Sequence, residues 1–116
     1  MVLGSLESQI MGVLWNAGKP LTVRETLEAL NQDRKPPLAY TTVLTVMSRL
    51  AEKGALTRTS KGRGHAYVPA ADDEAALAVQ GVLRTYGDAA VSYFLDRAAT
   101  DPALRGRLQA LLGEDS

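Results

Sequence analysis

The sequence predicts an α+β fold, mostly α: three helices, a β-hairpin, and then an all-α tail. Three observations predict it. Apolar residues recur at helical spacing in three successive stretches up to Lys53. Two short strand-like runs flank a glycine-containing turn around Gly62. After Pro69 the composition turns rich in alanine and acid, so the 116 residues divide into a domain at 1–70 and an appendage at 71–116.

The first helix is expected from about Leu6 to Asn16, because Leu6, Ile10, Val13 and Leu14 form one stripe. Ser5 is its expected cap and Ala17-Gly18 its end, with Trp15 assigned to the core. The second helix opens on Thr22-Val-Arg-Glu25, a capping box in which Thr and Glu each satisfy the other's end of the turn. Val23, Leu27 and Leu30 are its buried stripe, and Pro36-Pro37 forbid its continuation. The third helix spans about Ala39 to Lys53 and stops at Gly54, with Lys53 complementing its C-terminus. Val43, Val46, Met47 and Leu50 share its inner side, while Thr41, Thr45 and Ser48 lie opposite. An outer face built from hydroxyls instead of Glu, Lys and Gln is unusual for a surface helix.

Strands are expected at Ala55 to Thr59 and His65 to Val68, joined by Lys61-Gly62-Arg63-Gly64 with a basic tip. Three helices followed by a hairpin is the order of a winged helix-turn-helix. The tail holds three short helices. One begins at Asp72-Asp73-Glu74, where acid suits the helix dipole, and carries Val79, Val82, Leu83 and Tyr86. Gly87-Asp88 breaks it, Val91, Phe94, Leu95 and Ala98 mark the next, and Asp101-Pro102 opens the last with Leu104, Leu108, Leu111 and Leu112. So short a helical tail buries little surface alone, and a second copy of the chain is the simplest cover for it.

Composition removes several classes of function. The chain has no cysteine, which excludes disulfides, thiolate metal sites and Cys nucleophiles. His65 is its one histidine, so a paired-histidine zinc site cannot form. There is no GxGxxG, no P-loop and no cluster of metal ligands. An enzyme, a cofactor and a bound metal are therefore not expected. Apolar runs fall far short of the roughly 18 residues of a membrane span, and Met1 to Glu7 lacks the basic start of a secretory signal. A cytoplasmic protein without membrane insertion is the expectation.

Net charge is zero, but it is unevenly spread. Residues 1–71 carry nine Lys and Arg against five acids, and residues 72–116 carry four against eight. Between 34 and 63 there are seven basic residues and one acid, Glu52. An anion-binding first part follows, and duplex DNA is the anion that suits a helix-turn-helix. The N-terminal residues of the third helix, Tyr40, Thr41, Thr42 and Thr45, would meet base edges. Arg49, Lys61 and Arg63 would bind phosphates, and His65 lies near them. Plainer roles stand beside these: packing for Tyr40, capping for Thr42, an ordinary strand position for His65. The alternative class is a winged-helix protein–protein interaction module whose basic wing binds an acidic partner.

Several motifs together resemble the penicillinase repressor (BlaI/MecI) family. They are Leu6-Glu7 with Ile10-Met11-Gly-Val-Leu-Trp15, Thr22-Val-Arg-Glu25, Ala39-Tyr-Thr-Thr-Val43, Arg49-Leu50, Glu52-Lys-Gly54, Gly62-Arg63 and Tyr67-Val-Pro69. The resemblance implies a homodimeric transcriptional repressor binding palindromic operators with TACA/TGTA-type half-sites, joined through its C-terminal helices. On the residues of this chain, dimerisation falls to Val91, Phe94, Leu95, Leu104, Leu108 and Leu111. The resemblance also implies control of β-lactamase or related genes, relieved when a membrane-bound zinc metalloprotease sensor cleaves the C-terminal domain. Members that are cleaved carry Asn-Phe where this chain has Tyr93-Phe94, so the Phe matches and the Asn does not. The copper-responsive branch uses C-terminal cysteines, which this chain lacks.

Overall fold

The order of elements in the computed structural model, which describes residues 2–113, is α1 (Ser5–Ala17), α2 (Val23–Asn31), α3 (Tyr40–Glu52), β1 (Leu56–Lys61), β2 (Gly64–Pro69), α4 (Glu74–Tyr86), α5 (Asp88–Thr100) and α6 (Pro102–Leu111). The α+β, mostly α class expected from the sequence is the class observed. The chain forms two compact units, residues 1–80 and 81–116, and the division falls inside α4.

The core of the first unit is made by Ile10, Met11 and Leu14 of α1, Val23 and Leu27 of α2, and Val43, Met47 and Leu50 of α3. Three amphipathic helices thus bury one stripe each against the others. Leu30 and Val46 are half-buried at its margin, whereas Met11, outside the expected α1 stripe, is fully enclosed. Thr26 is the buried polar residue of this core, and its hydroxyl donates to the Thr22 carbonyl at 2.9 Å, which removes the cost of an unpaired donor. Leu77, four residues into α4, also enters this core.

Local chemistry sets the helix ends. Thr22 Oγ1 accepts from the Glu25 N–H at 3.1 Å while Glu25 Oε1 accepts from the Thr22 N–H at 2.9 Å, completing the expected capping box of α2. In α1 the cap moves one residue from expectation, to Gly4 instead of Ser5. The Glu7 carboxylate accepts from the Gly4 N–H at 2.8 Å, and this half of a capping box asks nothing of the cap's own side chain. α3 closes in a Schellman turn: Ala55 N–H donates to the Leu50 carbonyl at 2.8 Å and Gly54 N–H to Ala51 at 3.1 Å. That turn places Gly54 at φ 84°, a conformation natural to glycine.

The hairpin is longer than the sequence suggests. β1 and β2 pair antiparallel from Leu56–Pro69 out to Lys61–Gly64, leaving Gly62-Arg63 as a two-residue loop. Gly62 has φ 60° and no non-glycine among the described residues has positive φ, which matches a type II′ turn whose backbone twist continues that of the strands. Pairing carries on past the expected strand ends because that turn keeps Lys61 and Gly64 in register. At its base the hairpin is tied to the α1–α2 connection, where Leu21 and Tyr67 exchange backbone hydrogen bonds of 3.1 and 2.8 Å.

In the second unit α5 and α6 pack on each other, and Asp101 caps α6 by accepting from the Leu104 N–H at 3.1 Å. Pro102 follows at the first helical position, as expected. Only Ala98 is buried among the described residues of this unit.

Candidate nucleic-acid interface

The turn between α2 and α3 decides how α3 is presented. Asn31, the last residue of α2, grips the backbone of Leu38 from both sides. Its Oδ1 accepts from the Leu38 N–H at 2.8 Å and its Nδ2 donates to the Leu38 carbonyl at 3.1 Å. A side-chain amide thus does what a further strand would do, and it holds the residue two before α3. On the far side of the same turn the Arg34 guanidinium donates to Gln9 Oε1 of α1. Neither contact was legible from periodicity, and Asn31 near a helix end ahead of Pro36-Pro37 is the one sequence signal for the first.

With its inner stripe buried, α3 presents Tyr40, Thr41, Thr42, Thr45 and Arg49 to solvent, and no acid occurs between Tyr40 and Ala51. All five candidate residues of this helix therefore sit on its exposed surface. The cap position belongs to Ala39, which makes no side-chain cap bond, so Thr42 is not the N-cap. Tyr40 is 40 % exposed and is not free of neighbours, because the guanidinium of Arg24 lies 5.1 Å from its ring centroid. This is cation–π distance. Arg24, a residue the sequence reading left unassigned, thereby joins the site.

The wing supplies the second cluster of cations. Lys61, Arg63 and His65 are exposed at and beside its tip, His65 standing opposite Ser60 in the ladder. Lys61 reaches back to α2, its Nζ 3.7 Å from Glu25 Oε1. Both side chains are solvated, so the pair contributes little to stability and yields readily to a stronger anion. The Thr22 N–H, with smaller help from the Thr22 hydroxyl, Lys61 and Lys19, lowers the pKa of Glu25 below the ordinary carboxylate value. Glu7 is likewise lowered, by the Gly4 N–H first and then by Lys53 and Arg49. Both acids are thus charged at neutral pH and engaged by their own helix ends.

In the tail, Val91, Phe94, Leu95 and Leu111 are exposed, Phe94 at 46 % and Leu111 at 82 %, while Leu104 and Leu108 are half-buried. Tyr93 and Phe94 lie in the middle of α5. The α4 residues Val82, Leu83 and Tyr86 are exposed too. Among the described residues no group of three His, Cys, Asp or Glu could hold a metal, and no helix is long and apolar enough to cross a membrane.

Three helices around one core, a clamped turn ahead of the third, and a basic two-stranded wing beside it define a winged helix-turn-helix protein. The particular kind follows from comparison with known proteins. Residues 3–114 match the penicillinase repressor family. The chain is also 39 % identical over 108 residues to the transcriptional regulator BlaI of Mycobacterium tuberculosis, in each of two strains, a match spanning 87 % of this chain and 77 % of the relative. The chain belongs to the penicillinase repressor family.

Proposed function

We propose that the protein is a transcriptional repressor that binds palindromic operator DNA as a homodimer. The observation that carries the reading is the outer face of α3: exposed Tyr40, Thr41, Thr42, Thr45 and Arg49 beside the wing's Lys61 and Arg63, with His65 next to them and no acid on α3 before Glu52. In this reading α3 lies in the major groove, and the Thr hydroxyls and methyls with Tyr40 read base edges. Arg49 and the wing cations grip phosphates and set register without reading sequence. The exposed apolar residues of α5 and α6 pair with those of a second copy, and two recognition helices then meet half-sites about 34 Å apart. Membership of the family and the relative's name support the regulatory role.

Repression follows from occupancy of a promoter, and release follows from loss of the dimer. The family resemblance supports a membrane-bound metalloprotease sensor acting on the C-terminal domain as the releasing event, although at Tyr93-Phe94 in α5 only the Phe matches the cleaved pattern. The reading places the protein in the cytoplasm, where its DNA target lies.

Selection from random duplexes, followed by titration of the winning sequence at several salt concentrations, tests the reading. A palindrome bound far more tightly than competitor DNA, with affinity falling steeply as salt rises, is the expected result. Equal, weak binding to every duplex would overturn it and favour an acidic protein partner for the wing.

A further inference from the structure

A notch of about 230 Å³ separates the start of α3 from strand β2 of the wing, lined among others by Val23, Arg24, Tyr40, Leu44, Gly64 and His65. Building on the DNA reading above, we propose that this notch seats one backbone phosphodiester of the bound duplex, and that Arg24 of α2 is the cation that holds it. An α-helix with its side chains is about 10–12 Å across and the major groove is about 12 Å wide, so a helix lying there fills it. The sugar-phosphate backbones that border the groove must then pass over whatever flanks the helix. On one flank of α3 that is the notch.

Its chemistry fits a nucleotide backbone. Val23 is buried at the notch, and Tyr40 and Leu44, 40 % and 37 % exposed, offer apolar wall for a deoxyribose. No lining residue is acidic, and Arg24 and His65 are the lining residues able to carry positive charge. The acid next to Arg24 in sequence, Glu25, is engaged by the Thr22 N–H and by Lys61. The guanidinium lies over the Tyr40 ring, 5.1 Å from its centroid, and a guanidinium placed beside an apolar wall offers a phosphate a fork of donors. Arg24 and Tyr40 thus form one unit, in which the residue reading the base edge is braced by the residue holding the backbone beside it.

The full chain, titrated with the selected duplex carrying one neutral methylphosphonate at a time, tests the seat. In the unaltered protein, besides the phosphates gripped by Arg49 and the wing, one position per half-site beside the start of α3 should cost about tenfold in affinity, as loss of a charge-assisted hydrogen bond does. Arg24→Ala, which removes the contact from both half-sites, should lose about a hundredfold on specific and competitor DNA alike. Its salt slope should fall by about two, one contact per half-site, and it should be blind to that methylphosphonate in either half-site. Arg24→Lys should keep the salt slope and the sensitivity while binding more weakly, because charge remains and the guanidinium's fork of donors does not. Thermal melting should be unchanged for both, since Arg24 is exposed. An Arg24→Ala protein with the original salt slope, or one that responds to every methylphosphonate as the parent does, would overturn the seat and leave the DNA reading standing. A parent protein with no duplex preference would overturn both.

Discussion

The two compact units bury their apolar residues to opposite degrees. In the first, Ile10, Met11, Val43, Met47 and Leu50 have no solvent exposure, and every helix contributes to one interior. In the second, Ala98 alone is buried among the described residues, while Phe94, Leu95 and Leu111 stand in solvent. Both halves have amphipathic helices of about the same length, so periodicity does not distinguish them. What differs is closure. Three helices and a hairpin can enclose a volume, whereas α5 and α6 have only each other in that unit, and a single helix pair leaves its outer apolar surface wet. The first unit has the core of a self-standing fold; the second leaves apolar surface uncovered, which is what the proposed pairing with a second copy would bury.

The largest effect should come from breaking this difference at its exposed side. Leu108→Asp puts a charge into the surface proposed to join two copies. Sedimentation should show monomers with normal melting of the winged-helix unit, and operator affinity should fall by about 10²–10⁴ as the two half-sites cease to be bound together. A dimer with full affinity would remove the distinction between the units. A fragment ending at Gln80, which keeps Leu77 in its core, should behave as the same folded monomer.

Next in size is the converse change. Leu50→Ala opens a cavity in the enclosed core and should cost about 2–5 kcal/mol in urea unfolding. The loss should not depend on protein concentration if the first unit stands alone. Concentration dependence would mean that its stability, too, comes from assembly.

Thr41→Ala and Thr45→Ala sharpen the comparison at the surface of the first unit. Each should lose about 1–3 kcal/mol of discrimination between operator and competitor DNA, measured by competitive titration, with the melting temperature held. Unchanged discrimination in both would show that the exposed face of α3 does not read bases.

The smallest effect concerns acid. Glu7 and Glu25 cap α1 and α2, and their pKa values are lowered in the fold. A group with a depressed native pKa adds stability that is present above its unfolded value, near 4.5, and is lost as pH falls through the native one. Unfolding free energy should therefore hold from neutral pH to about 5 and decline below about 4.5. Glu25→Gln, which keeps a cap acceptor, should flatten part of that decline. A profile identical to the parent's would assign the acid sensitivity elsewhere.

The helices and their order were legible because helical signals are local. Stripes at three- and four-residue spacing, the Thr22–Glu25 box, the Gly54 stop and the Asp101-Pro102 start each act within a turn or two. The exposed hydroxyl face of α3 was legible for the same reason, since a wheel places Thr41 and Thr45 opposite Val43 and Met47. Gly4 caps α1 in place of the expected Ser5, because the choice between them turns on where the Glu7 carboxylate reaches.

What the sequence determined by itself was thus the set of elements, the fold class, the charge asymmetry and the family. Tertiary structure alone decided which elements meet. It put the Asn31 amide on Leu38, the Leu21 backbone on Tyr67, Arg24 over Tyr40 and Lys61 beside Glu25. It also sent Leu77, not Val79 or Val82, into the first core. Each of these joins residues on separate elements, and no periodicity encodes them. They exist because packing three stripes into one closed interior leaves each helix a single rotation and depth, and the polar groups that this brings face to face then pair.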